Sequence, residues 1–299
     1  MEKISRRKFI KQTTSTVTAV LAFRLMDAKA DVTPIPSWLG PIQLGKANVQ
    51  VTHLALGTGS NGWDESSDQV RLGKRGFLEL VQHAYDRGVR FVEGADIYGS
   101  HLFIAEALRM LPREKLTLMT KIWNRDLPGQ PFNGINKTVD RFRREMNTDM
   151  IDIVLLHCMT DVDWTEKYRD HCDALSELKQ KGVIKSFGVS CHDFGALKAA
   201  AESDWVEVIL ARINAYGPAM DASPAEVMAV LERAHQRGIG IIGMKLFGCG
   251  ECANDEQRQK SLEFVCNSGN VDCMTIGFTS TAQIDDVLVR IKPLFERRG

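Results

Sequence analysis

The sequence predicts an α/β protein: a (β/α)8 TIM barrel preceded by a short N-terminal hairpin. Three observations support this. Eight strand-like segments alternate with eight helix-like ones between residues 53 and 292. The length of 299 residues suits a barrel of roughly 250 residues with a short extension. Residues able to do chemistry sit at the ends of successive strand-like runs, where the mouth of a parallel barrel lies.

In chain order, residues 1–30 read as a targeting segment rather than fold. Ser5-Arg6-Arg7-Lys8-Phe9-Ile10-Lys11 is a twin-arginine pattern, followed by a weakly apolar stretch and by Ala28-Lys29-Ala30, an A-x-A cleavage signature. The apolar stretch is too short to span a bilayer, and no membrane span is expected in the mature chain. The expected partner is the twin-arginine export machinery and the expected location is periplasmic or exported. A basic N-terminal helix in a cytoplasmic protein is the alternative. Residues 31–40 read as a linker around Thr33-Pro34-Ile35-Pro36, and residues 41–299 as the barrel unit, with a hairpin at 41–50 around Gly45-Lys46. Strands are expected near 53–56, 89–92, 116–120, 151–156, 185–189, 206–213, 239–244 and 271–276. Helices are expected near 70–87, 101–111, 134–147, 165–181, 193–202, 224–237, 256–268 and 281–292. In the sixth helix Val227, Val230, Leu231 and Ala234 fall at i, i+3, i+4 and i+7. Ser223-Pro224 opens it as N-cap and N1 proline, and Arg237-Gly238 closes it with a cation and a glycine. Arg87-Gly88 and Lys181-Gly182 close two other helices in the same way and lead into β-branched runs.

Composition narrows the function. Thirty-eight basic residues balance thirty-eight acidic ones, which gives no basis for binding nucleic acid or an anionic membrane surface. Seven cysteines cannot all pair within the chain, and a chain this long needs no disulfide framework. Cys249-Gly250-Glu251-Cys252 is a C-x-x-C, but neither a redox unit nor a metal site is expected from its setting. Gly57-Thr58-Gly59-Ser60-Asn61-Gly62 matches G-x-G-x-x-G. No helix opens directly after it, so a loop passing close to a ligand is expected in place of a dinucleotide-binding βαβ unit.

The candidate catalytic residues are Glu93, Tyr98, Lys121 and His157. A phenol with a pKa near 10 is a poor acid at neutral pH, and a nearby ammonium is expected to lower it. A carboxylate can hold that ammonium and an imidazole can orient a carbonyl. Together they make a proton donor for a carbonyl oxygen that gains charge as hydride reaches carbon. Two other readings stay open: a Schiff-base lyase or aldolase using Lys121 or Lys245, and a nucleotide-retaining binding or regulatory protein with little turnover.

These residues also carry a resemblance. Phe91-Val92-Glu93-Gly94-Ala95-Asp96-Ile97-Tyr98-Gly99, Thr120-Lys121-Ile122-Trp123, residues 149–157 ending in His157, and residues 182–190 ending in Ser190 resemble four motifs of the aldo-keto reductase superfamily, in order and at suitable spacing. The resemblance covers roughly residues 42–290. It implies an NAD(P)-dependent oxidoreductase of the exported bacterial type, with NADP or NAD as cofactor and a small carbonyl substrate. Tyr98 would be the proton donor, Lys121 its tuning cation, Glu93 the partner of Lys121, and His157 the group that orients the carbonyl. It implies cofactor contacts from Ser190, Cys191, Arg212, Asn214, Lys245, Leu246, Gly277, Phe278 and Thr279, and no metal. The chain departs from the family pattern where Glu93 replaces an aspartate, and where Cys191 follows Ser190 in place of an asparagine. The sixth strand has no glutamine, Met244 and Lys245 stand where an aromatic is common, and the last loop lacks a cation for a 2′-phosphate.

Overall fold

The computed structural model describes residues 33–127 and 131–297. The twin-arginine segment lies outside them. From Ile35 the stretch expected to be a linker packs on the barrel, and Leu39 is fully buried in its core.

The antiparallel hairpin is present as β1 (Ile42–Gln43) and β2 (Gln50–Val51). The barrel strands are β3 (Leu54–Gly57), β4 (Phe91–Glu93), β5 (Thr117–Ile122), β6 (Ile151–Met159), β7 (Ile184–Cys191), β8 (Val208–Arg212), β9 (Gly240–Met244) and β10 (Cys273–Gly277). They pair in parallel in chain order, and β10 closes the barrel on β3 with Met274 opposite Leu54. The connecting helices are α1 (Asp68–Arg71), α2 (Gly73–Asp86), α3 (His101–Leu108), α4 (Ile135–Met146), α5 (Trp164–Lys167), α6 (Arg169–Gln180), α7 (Phe194–Glu202), α8 (Pro224–Gln236), α9 (Asp255–Asn267) and α10 (Thr281–Glu296). Two expected helices are interrupted. Leu72 separates α1 from α2, which opens on Gly73 in the left-handed region at φ +71°, and Tyr168, with non-helical dihedrals, separates α5 from α6. The expected capping of α8 forms as a full capping box between Ser223 and Glu226.

Strand alternation sorts the core into two shells. Leu56, Val92, Leu118, Ile122, Val154 and Val189 face outward under the helices. Ala55, Phe91, Met119, Ile153, Leu155, Val208, Leu210 and Ile242 fill the barrel interior. The hairpin region adds Leu44, Ala47, Val49 and Val51 to that inner shell and so closes the end of the barrel away from the strand C-termini. Lys46 N–H donates to Gly238 O at 2.7 Å. Gly45 and Gly240 let the backbones meet, since a Cβ on Gly45 would lie 2.3 Å from Gly240 N. At the same end Asp152 is buried, accepts Leu118 N–H at 2.9 Å, and pairs with Arg113 and Lys185, each at 2.7 Å.

Candidate active site

The same alternation carries the chemical residues inward at the opposite end. In β5, Met119 faces the interior, so Lys121 does too, one pleat nearer the mouth. Phe91 and Glu93 repeat the pattern in β4, and Ile153, Leu155 and His157 in β6. Lys121 and His157 lie within their strands and not just beyond them. Past Leu156 the β6 register shifts, with Cys158 in the left-handed region at φ 62°, and this bulge sits directly beside His157. Tyr98 is brought in by a 3₁₀ turn, Asp96–Tyr98, that ends on Gly99 at φ 68°.

The four residues converge on a cavity of about 530 Å³ at the C-terminal face of the barrel. Lys121 is 1% exposed and Glu93 5%. The Lys121 ammonium donates to Glu93 Oε1 and, at 2.8 Å, to Gly94 O. Thr275 Oγ1 donates to the other Glu93 oxygen at 3.2 Å. Lys121 Nζ lies 4.7 Å from the centroid of the Tyr98 ring, and the His157 ring stands edge-on to Tyr98 with centroids 5.7 Å apart. Trp123 packs against His157 at 5.6 Å.

Burial dominates the electrostatics. It pushes the Tyr98 phenol well above the ordinary tyrosine value, with Asp96 and Cys158 adding to the effect, so the expected lowering by the ammonium does not prevail. Burial likewise drives the Lys121 ammonium well below the ordinary lysine range, with Lys245 adding repulsion. The Glu93 contact opposes that shift. His157 is taken down to about 4, again mainly by burial, and is neutral at pH 7. Its Nδ1 is buried without a hydrogen-bond partner and lies 3.9 Å from Asp96 Oδ1, and the residue lines the cavity.

The expected cofactor residues divide into three groups. Lys245, Leu246, Gly277 and Thr279 line the cavity. Ser190 is fully buried, and its hydroxyl accepts the Cys158 N–H at 2.8 Å, thereby holding the β6 bulge. Arg212 pairs with Asp221 and donates to His192 O at 2.7 Å. Asn214 holds its own loop, donating to Pro218 O and Lys245 O and accepting from Tyr216 N–H and Gly217 N–H. Cys191 is out of phase: it follows Ser190 on the outward face and sits in the outer core. Phe278 is buried there too, and only its carbonyl is engaged, by Gln69 Nε2 at 3.0 Å.

Several residues at the site were not singled out by the strand-end pattern. Asp96 accepts Trp123 N–H at 2.7 Å and faces His157, so it braces two walls of the site. His192 follows β7 and lines the cavity. Arg258 enters from the first turn of α9, with its Nε buried and unpartnered. Gly57 and Gly59 line the cavity, and the loop glycines have a further use beside the expected one. A Cβ on Gly59 would lie 2.0 Å from the Tyr98 ring and one on Gly62 2.4 Å from it, so this loop is stripped of side chains to pack against the tyrosine. Cys249 and Cys252 are free thiols beside the cavity, and among the described residues no cluster suits a metal ion.

Comparison with known proteins agrees with the barrel fold. A barrel of similar fold is that of an aldo-keto reductase from Bacillus halodurans in its holo form, with a TM-score of 0.67, 18% identity, and coverage of 86% of this chain and 95% of that one. An aldo-keto reductase from Klebsiella pneumoniae in complex with NADPH superposes at a TM-score of 0.61, 16% identical, covering 85% of this chain and 90% of that one. Among curated proteins, the NADH-specific methylglyoxal reductase of Escherichia coli K12 is 23% identical over 204 residues, covering 60% of each chain. A probable aldo-keto reductase of Glycine max is 26% identical over 160 residues, covering 50% of this chain and 44% of that protein. The chain thus spans about half the length of the curated relatives it matches. The model of the Aldo/keto reductase family matches residues 53–289, all eight barrel strands included, and the chain belongs to that family.

Proposed function

We propose that the protein is an NAD(P)-dependent oxidoreductase that interconverts an aldehyde or ketone and the corresponding alcohol, with Tyr98 as the proton donor. The observation that carries this reading is the stacking of the Lys121 ammonium 4.7 Å from the Tyr98 ring beside a neutral His157, all on one cavity. The cavity also fits a nicotinamide dinucleotide. The buried, unpartnered Nε of Arg258 suits an anionic oxygen. Gly248, Cys249 and Gly250, all at positive φ, and Gly277, too crowded for a Cβ beside Ser60 Oγ, allow close approach of backbone to a phosphate. Leu246, Thr279 and Gln283 complete the wall. When bound, the nicotinamide supplies or accepts the hydride.

The protein's part is acid–base and electrostatic. Burial keeps the Tyr98 phenol protonated, so at neutral pH it holds a proton for the carbonyl oxygen. As the proton leaves, negative charge develops on a ring that faces an ammonium, and Lys121 stabilises it. Glu93 accepts from the Lys121 ammonium and favours its charged form against the burial that lowers its pKa. Neutral His157 orients the carbonyl without adding a second positive charge.

Tyr98→Phe tests this. Loss of a general acid lowers turnover by about 10²–10⁴-fold. A variant that still reduces a panel of aldehydes at the wild-type rate with NADH or NADPH sinks the assignment. The proposal includes export, supported by Arg6-Arg7 and Ala28-Lys29-Ala30. Changing both arginines to lysine should retain the protein in the cytoplasm on cell fractionation, and unchanged export would refute that part.

A further inference from the structure

Among the described residues, the lysines and arginines that line the cavity are Lys121, Lys245 and Arg258. Lys121 is paired with Glu93 and Arg258 with Asp255. The cavity's outer carboxylate, Asp68, is taken by Arg71 and Asn61. Lys245 lines the same cavity and is only partly exposed, yet among the described residues its ammonium has neither an ion pair nor a hydrogen bond.

Its backbone is unusual too. Lys245 lies in the left-handed region at φ 61°, which a residue with a side chain rarely adopts. Two contacts to its carbonyl hold it there: Gly248 N–H at 2.9 Å and Asn214 Nδ2 at 3.2 Å. Burial chiefly lowers both the Lys121 ammonium and the His192 imidazole, and the Lys245 charge adds to each shift. A buried Asn, a left-handed turn and an unpaired cation on the cavity wall together describe a waiting counter-charge.

From this we infer that Lys245 binds the carboxylate of the substrate, so that the preferred substrates are oxo acids or aldehyde acids and not neutral carbonyls. The inference rests on the reductase reading and refines it. An oxyanion at Lys245 could instead be a phosphate of the dinucleotide. The substrate is favoured because phosphate has its own provisions elsewhere, at Arg258 in α9, Thr279 after β10 and the positive-φ backbone of 248–250. Lys245, by contrast, shares the cavity with Lys121, His157 and His192, and the His192 ring stands 6.4 Å from that of His157, the group assigned to orient the carbonyl. Neutral His157 and the mutually offset Lys121–Glu93 pair leave Lys245 as the charge that selects.

The test compares Lys245→Met and Lys245→Arg with the wild type on matched pairs: 4-oxobutanoate against butanal, and pyruvate against 2,3-butanedione. The wild type should prefer the acids. Lys245→Met should lose about 30-fold or more in kcat/KM on the acids and under about 3-fold on the neutral partners, with Lys245→Arg restoring most of the loss. Dinucleotide Kd, read by fluorescence, should stay within about 3-fold. Equal losses on acid and neutral partners, no acid preference in the wild type, or a loss appearing in the dinucleotide Kd would each overturn the inference, the last assigning Lys245 to a phosphate. If the wild type reduces no carbonyl, the reductase reading has failed and calorimetric titration with oxamate decides the remainder. Oxamate binding that Lys245→Met abolishes supports the carboxylate site, and binding that it leaves unchanged overturns it.

Discussion

Glu93 is the position where this chain departs most pointedly from the family pattern, and Glu93→Gln exposes what its charge does. In the fold the Lys121 ammonium is 1% exposed and has two acceptors, Glu93 and Gly94 O. Removing the carboxylate charge leaves a buried ammonium with one neutral partner, a loss of about 3–5 kcal/mol. Lysine has an escape, which is to shed its proton. Taking a lysine from a pKa near 10.4 to neutrality at pH 7 costs about 4–5 kcal/mol, which caps the loss. The cap falls by about 1.4 kcal/mol per pH unit. In the variant the folded Lys121 pKa lies below its unfolded value, so the unfolded chain binds more protons and stability rises with pH. Urea unfolding followed by tryptophan fluorescence should therefore show a deficit of about 3–5 kcal/mol at pH 7 that shrinks toward pH 9. Adding Lys121→Met removes the stranded charge and should bring the protein back to within about 2 kcal/mol of wild type, the remainder being the unpaired Gly94 O. A deficit below about 1 kcal/mol, or a double variant no more stable than Glu93→Gln, would refute the view that this pair is a mutually dependent buried charge.

Two further perturbations follow from the geometry. Gly59→Ala places a methyl group 2.0 Å from the Tyr98 ring, so the ring must move. Overpacking of this kind costs about 1–3 kcal/mol, and an ångström of displacement at the proton donor lowers kcat by about 100-fold. Steady-state kinetics with wild-type rates in Gly59→Ala would show that the loop yields and the tyrosine does not. His157 is held down to about 4 from 6.5, so below pH 6.5 the unfolded chain takes up a proton that the folded site refuses. That makes acid destabilising by about 3 kcal/mol as pH falls from 6.5 toward 4. Since His157→Gln removes this contribution, its stability should decline less steeply over that range in urea titrations, and parallel profiles would count against a buried neutral imidazole.

The architecture was legible because it is written in repeats. Helix-closing pairs such as Arg237-Gly238, and β-branched runs such as Val183-Ile184, mark each unit locally and need no long-range information. The inward turn of Lys121 and His157 was legible too, since alternation fixes it once the strand is placed. Alternation also shows why Cys191 was misplaced: adjacent residues in a strand face opposite ways, so a motif that delivers Ser190 inward turns its neighbour outward. Asn214 and Ser190 carry polar groups that the backbone of neighbouring loops consumes, and no local pattern announces such partners. Arg258 escaped because it reaches the cavity from a helix, where a strand-end search does not look. The upward shift of Tyr98 depends on how much of its surroundings exclude water, a property of the assembled site alone.

The hairpin beneath the barrel has a consequence for traffic. With Leu44 and Val49 filling the lower end, the cavity opens at the strand C-termini alone, and two ligands must share one doorway. If a dinucleotide fills the wall from Gly277 to Arg258, as the proposed function requires, a small carbonyl arriving first would stand in its path. Shape thereby imposes a queue, with the larger ligand first in and last out. Product-inhibition kinetics should show the oxidised dinucleotide competing with its reduced form and not with the carbonyl, and random-order patterns would mean that the floor has a second way through.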